Sequence, residues 1–168
     1  MGAKNADEPS VTRRIEGAKV TLPSDREILI TRLFSAPREV VFDAWTKAEH
    51  VANWWDPAGI PLAVSEIDLR PGGAFRFVHR APRGVGHAFT GTYREIVPPA
   101  RLVFTTPAPA GGESVGTLLF EARDGQTLLT MTIASASKEA RDALLEMHVD
   151  AGTVRTLDNL DAYLGRTA

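Results

Sequence analysis

Lys138–Leu164 reads KEARDALLEMHVDAGTVRTLDNLDAYL, and within it Ala140, Leu144, Met147, Ala151, Val154, Leu157, Leu160 and Leu164 recur at steps of three or four. That spacing keeps them on one side of a helix about seven turns long, while Asp142, Glu146, Asp150, Arg155 and Asp158 fall mostly outside the stripe. A single apolar stripe of that length needs a sheet face to bury it. The sequence ahead of it supplies one. Val115–Arg123 and Gln126–Ala134 flank Asp124-Gly125, a strong hairpin signal, because both turn positions favour positive φ. Leu62–Leu69 and Ala74–Arg80 flank Arg70-Pro71-Gly72-Gly73, and His87–Val97 and Arg101–Thr106 flank Pro98-Pro99-Ala100. A Pro- and Gly-rich loop covers Pro107–Gly112.

Further toward the N-terminus, Arg26–Phe34 (REILITRLF) is a first strand. Ser35-Ala36-Pro37 opens a helix with Ser35 as its cap. Thr46-Lys47-Ala48-Glu49 has the form of a capping box for a second short helix, which ends at Trp54-Trp55-Asp56-Pro57. The expected order is strand, two short helices, six strands joined mainly by hairpins, and a terminal helix. Segregated helices and consecutive hairpins define an α+β domain with an antiparallel sheet of about six or seven strands curved around the helix. Residues 1–24 are polar and are expected to be a flexible extension, with a short strand near Ala18–Leu22; the domain proper is 25–168.

Composition excludes several functions. The 168 residues suit one domain, and 43% hydrophobic with 24% charged residues is ordinary for a globular chain. A net charge of −2 and a pI near 6.1 give no footprint for nucleic acid or an anionic membrane. With no cysteine there is no disulfide, thiolate nucleophile or thiolate metal site. MGAKNADEPS lacks the apolar run of a secretory signal, and no stretch approaches the length needed to span a bilayer, so a cytoplasmic location is expected. The four histidines have no short ligand spacing, no G-x-S-x-G elbow is present, and the glycine pairs lack the context of a phosphate loop. No metal and no cofactor is expected.

The blocks ITRLFSAPREVVFDAWT, EHVANWWDPAG, DLRPGGAFRFVHR, GTYREIVPPARLVFTT and LDNLDAYL resemble bacterial proteins similar to the activator of heat-shock protein 90 ATPase, within the START/polyketide-cyclase-like (SRPBCC) superfamily. The resemblance runs from Arg26 to Leu164. It implies a helix-grip fold with a hydrophobic cavity between the sheet and the C-terminal helix. It transfers no activity.

Strand alternation places Phe75, Phe77 and His79 on one face, and Phe89, Gly91 and Tyr93 on a second strand's inner face, with Leu129, Met131 and Ile133 on a third. These meet Met147, Ala151 and Val154 of the helix. Two readings compete: a close-packed core, and a cavity that the resemblance favours and that the small residues Gly91 and Ala151 suit. The cavity candidates are Trp55, Phe75, Phe77, His79, Phe89, Tyr93, Met131, Met147, His148 and Ala151. Of Trp54 and Trp55, one is expected to anchor the short helix to the sheet and the other to line the cavity entrance or a partner surface. The leading functional expectation is a domain that binds a small apolar or aromatic molecule. The alternatives are a chaperone cofactor or other protein-interaction module, and a cyclase- or hydratase-type enzyme using a histidine and a tyrosine of the cavity. A homodimer through a strand edge or the helix pair is a further expectation.

Overall fold

The computed structural model describes residues 12–167 apart from residue 16. In chain order its elements are β1 (Thr12–Ile15), β2 (Ala18–Thr21), β3 (Glu27–Phe34), α1 (Arg38–Thr46), α2 (Ala48–Val51) and β4 (Val64–Ile67). They continue with β5 (Ala74–Ala81), β6 (Gly84–Val97), β7 (Arg101–Pro107), β8 (Glu113–Arg123), β9 (Gln126–Ala134), α3 (Lys138–Glu146) and α4 (Val149–Thr167). All nine strands form one antiparallel sheet in the order β1-β2-β3-β9-β8-β7-β6-β5-β4.

The turns follow their chemistry. Asp124 and Gly125 have φ of 51° and 80° and are closed by the Arg123–Gln126 pair, as a two-residue hairpin requires. Along β3 the burial alternates, with Ile28, Ile30 and Phe34 fully inside. Strand β3 pairs with β9 from Glu27–Ala134 to Phe34–Thr127, which brings the first long strand to the middle of the sheet.

Helix α1 stacks Phe42 edge-on against Phe120 of β8, with ring centroids 5.4 Å apart. Helix α4 buries Val154, Leu157, Leu160 and Leu164. At about 1.5–3 kcal/mol for each fully buried aliphatic side chain, that row is the main force holding α4 to the sheet. Arg32 of β3 adds a polar tie, reaching Asp158 and, at 3.5 Å, Asp161 of α4. Arg141 of α3, buried, donates to the Ser24 carbonyl at 2.8 Å and so fastens α3 to the chain ahead of β3.

Several expectations change. Among the described residues the sheet has nine strands, not six or seven; β2 falls on the short strand expected near Ala18–Leu22, and β1 adds a strand in the stretch expected as an extension. Ala18 and Val20 are there 2% exposed, because β2 pairs with β3 and covers core. The expectation for residues 1–11 lies outside the described residues. The terminal helix is broken: α3 ends at Glu146, His148 takes φ 57°, and α4 starts afresh at Val149. The left-handed residue resets the helical phase, so Met147 is 59% exposed and Ala151 is exposed, while Asp150 is buried. Neither expected cap forms. Pro37 is the N-cap of α1, without a side-chain bond. Thr46 ends α1 and donates to the Phe42 carbonyl at 2.9 Å, which leaves Lys47 as the uncapped start of α2.

Gly91 serves packing rather than a hollow. It lies opposite Phe75 across β5 and β6, and an added Cβ would collide with the Phe75 ring and stand 2.7 Å from the Thr105 carbonyl. Gly116 accommodates Phe104 of the neighbouring strand in the same way. An aromatic ring laid over a cross-strand glycine thus occurs twice in this part of the sheet.

Gly91→Ala is expected to destabilise the chain by about 1–3 kcal/mol, a drop of roughly 2–4 °C in Tm per kcal/mol. Calorimetry of the two proteins checks it, and an unchanged Tm would contradict the packing described. Burial also pushes the Tyr93 phenol above its ordinary range. Its neutral form is the one the fold accommodates, so its contribution to stability is complete below the ordinary tyrosine pKa of about 10 and declines as pH rises beyond it. Tyr93→Phe is expected to flatten the fall of Tm between about pH 9 and pH 11, measured by circular dichroism melts.

Candidate functional site

The segment after α2 divides its two indoles between two tasks. Trp54 is 1% exposed and donates from Nε1 to the Ala44 carbonyl at 3.1 Å, which locks the segment to α1. Trp55 is the one that lines the interior. Its ring centroid lies 4.9 Å from Phe77, 5.2 Å from Phe89 and 6.0 Å from Trp45. Its carbonyl accepts from Thr156 of α4 at 3.2 Å.

On one side of Trp55 the interior is nearly solid. Phe75, Phe77, Tyr93, Leu102, Phe104 and Leu118 surround a residual space of about 20 Å³, room for one water at most. Phe75, Phe77 and Tyr93 therefore pack against one another, with ring centroids of 5.2 Å for both the Phe75–Phe77 and Phe75–Tyr93 pairs.

On the other side, toward α3 and the start of α4, the interior opens. One lobe of about 270 Å³ is lined by Phe104, Thr106, Ser114, Gly116, Ile133 and Leu144. A second of about 300 Å³ is lined by Trp45, Pro57, His79, His148, Gly152, Thr156 and Leu157. Both also contain Trp55, His87, Phe89, Met131, Met147, Val149 and Thr153, so they are two lobes of one hollow. Among the described residues no Asp, Glu, Lys or Arg lines either lobe. The break between α3 and α4 creates the space: at Met147–His148 the chain turns away before α4 lies down on the sheet.

Polar groups are few and placed. Ser114 is 5% exposed, and among the described residues its Oγ and the buried Trp45 Nε1 have no hydrogen-bond partner. His79 sits at a register shift between Val78 and Arg80 of β5, where its side chain is freed from the regular alternation. Its Nδ1 is 2.8 Å from Asp56 Oδ2. Asp56 is itself fixed, since its Oδ1 accepts from the Ala58 amide at 2.8 Å and its carbonyl accepts from Asn159 of α4 at 2.8 Å. The His87 ring lies roughly parallel to that of His79, 6.5 Å away and inclined by 20°.

Of the ten expected residues, the structure brings Trp55, His79, Phe89, Met131, Met147 and His148 to the hollow. Met147 and His148 stand at its exposed rim. Phe75, Phe77 and Tyr93 belong to the filled side. Ala151 lines neither lobe, for the reason of helical phase given above. Sequence reasoning missed Asp56, His87, Ser114 and Thr153. Asp56 lies 23 residues from His79 and looked like a helix stop. Ser114 lies at the edge of a loop-like stretch whose strand begins two residues earlier than the alternation indicates. Among the described residues no cluster of three His, Cys, Asp or Glu could hold a metal ion. Among the same residues no helix is long and apolar enough to cross a membrane.

The same architecture occurs in solved bacterial proteins. A protein from Rhodobacter sphaeroides superposes with a TM-score of 0.82 at 26% identity, over 90% of this chain and 99% of the other. One from Chromobacterium violaceum is 29% identical, with a TM-score of 0.69 over 81% of this chain and 95% of its own. A protein from Mycobacterium smegmatis, at 24% identity and a TM-score of 0.74, covers 95% of this chain and matches over its own full length (100%), which shows shared fold alone. No curated protein is similar in sequence at a significant level. The family model described as "Activator of Hsp90 ATPase homolog 1-like protein" matches residues 35–165, and with most of its length so matched the chain belongs to that family.

Proposed function

We propose that this chain is a binding domain that encloses a small, mainly apolar molecule with an aromatic or similarly compact body, in the hollow between the sheet and the α3–α4 junction. The observation that carries the reading is a two-lobed hollow with aromatic and apolar walls and, among the described residues, no Asp, Glu, Lys or Arg in its lining. An apolar cavity of roughly 150 Å³ already takes a benzene, so lobes of about 270 and 300 Å³ suit a substituted ring or two fused rings.

Trp55, Phe89 and Met131 supply the apolar contact in this reading, and Met147 with His148 forms the mouth. Phe75, Phe77 and Tyr93 act from behind as the rigid backing of Trp55 and Phe89. Thr153 of α4 lies on the wall common to both lobes and is half-buried, so a larger side chain there fills the guest's space without entering the solid core.

Naphthalene binding, followed through quenching of tryptophan fluorescence, is expected to be saturable in the native chain. Thr153→Phe is expected to weaken it at least about tenfold while the far-ultraviolet circular dichroism spectrum stays unchanged. Equal naphthalene affinity in the two proteins would remove the hollow as the binding site.

A further inference from the structure

The Asp56–His79 pair has the build of a proton acceptor aimed at the hollow, and nothing in a purely apolar binding role calls for it. As a carboxylate Asp56 only accepts, so the 2.8 Å contact places the hydrogen on His79 Nδ1 and the lone pair on Nε2. The imidazole, not the carboxylate, lines the second lobe. Asp56 stands behind it, 9% exposed and held from both ends by the Ala58 amide and by Asn159. The ring is positioned from the β5 side as well. It projects from the register shift after Val78, and Gly86 packs on its backbone so closely that an added Cβ would stand 2.7 Å from the His79 carbonyl. Asp56, 23 residues from the ring, thus fixes its tautomer, while Gly86 holds the backbone that carries it.

We propose that His79 Nε2 takes a proton from a weakly acidic hydroxyl on the bound molecule, with Asp56 as the positioning residue that holds the ring and stabilises the imidazolium. This rests on the binding reading above. In the step the O–H bond of the guest breaks, its electron pair stays on the guest's oxygen, and the proton forms an N–H bond at Nε2. The transfer is reversible and needs no other reactant.

The wall itself restricts the class of guest. With no Lys or Arg lining either lobe among the described residues, a guest that arrives permanently charged would lose its hydration without a counter-charge. A neutral hydroxyl that ionises only at Nε2 ends beside the imidazolium it creates. The titratable groups that face His79 are few: Asp56 from the segment before β4, His87 from β6 and His148 from the α3–α4 junction. The nearby face of α4 contributes only the uncharged Thr153, Thr156 and Asn159, and Arg80 of β5 is turned to the Pro61 carbonyl at 3.2 Å. The guest predicted by this chemistry is an apolar ring carrying a phenol-like or enol-like hydroxyl.

The test compares para-nitrophenol with nitrobenzene, which has the same ring without the hydroxyl, at a pH where free para-nitrophenol is mostly neutral. Both are expected to bind the full chain, and the bound phenol is expected to show the phenolate absorption band. His79→Phe and the milder His79→Gln are expected to weaken para-nitrophenol about tenfold and to abolish the band, with nitrobenzene affinity changed by less than about twofold. Asp56→Asn, which presents a donor to Nδ1 and leaves Nε2 protonated, is expected to lose the band while nitrobenzene still binds. If the native chain binds both compounds but the phenol stays neutral, or if His79→Gln keeps the band, the proposal fails and the binding reading stands. If neither compound binds, both fail together.

Discussion

The structure depends on how the segment Trp55–Pro57 is clamped to α4. Three backbone carbonyls in a row meet that helix: Trp55 accepts from Thr156 at 3.2 Å, Asp56 from Asn159 at 2.8 Å, and Pro57 from the same amide at 3.5 Å. A segment with no regular structure would otherwise carry unpaired carbonyls into the interior. Here the helix satisfies them, and the two side chains between them are thereby aimed. Trp55 goes to the aromatic cluster and Asp56 goes to His79. Loss of the clamp would release the partition of the core and the orientation of the histidine at once.

That partition explains why one interior holds both a solid and a hollow half. Rings over Gly91 and Gly116 fill the sheet's face to near crystal density, because a missing Cβ admits an aromatic edge almost to the backbone. Past Phe89 and Phe104 the inward side chains become Thr106 and Ser114, which are too short to reach α4. The helix break then withdraws the one long side chain, Met147, that a continuous helix would have placed there. Small residues on the sheet and a left-handed residue between helices act together, and neither alone would leave the space.

Much of this architecture was readable in the sequence, and for identifiable reasons. Asp124-Gly125, the alternation of β9 and the row Val154, Leu157, Leu160 and Leu164 are local signals, and the structure follows them closely. The resemblance in the blocks around Trp45, Trp54 and Tyr93 identified the family. What stayed hidden depends on contacts across space. Nothing in EMHVDAG announces a positive φ at His148, because its stripe runs through unbroken and histidine is an unremarkable helical residue. The residues placed at the site through that helix, Met147 and Ala151, were displaced by the same break. The Asp56–His79 contact joins a loop to a strand, and no periodicity encodes it. Strand β1 escaped notice because four residues are too few for alternation to stand out.

The sheet order also governs how the chain reaches this state. Strands β4 to β9 are successive hairpins and can pair as soon as each is made, whereas β3 sits between β2 and β9. Its pairing from Glu27 to Ala134 joins stretches separated by most of the chain, and it carries the loop-closure entropy of everything between. Such non-local closure raises contact order and slows folding. During synthesis the β4–β8 meander would stand with one apolar face uncovered until β9 and α4 emerge. The hollow is accordingly a product of the last stage of folding, absent from any nascent intermediate.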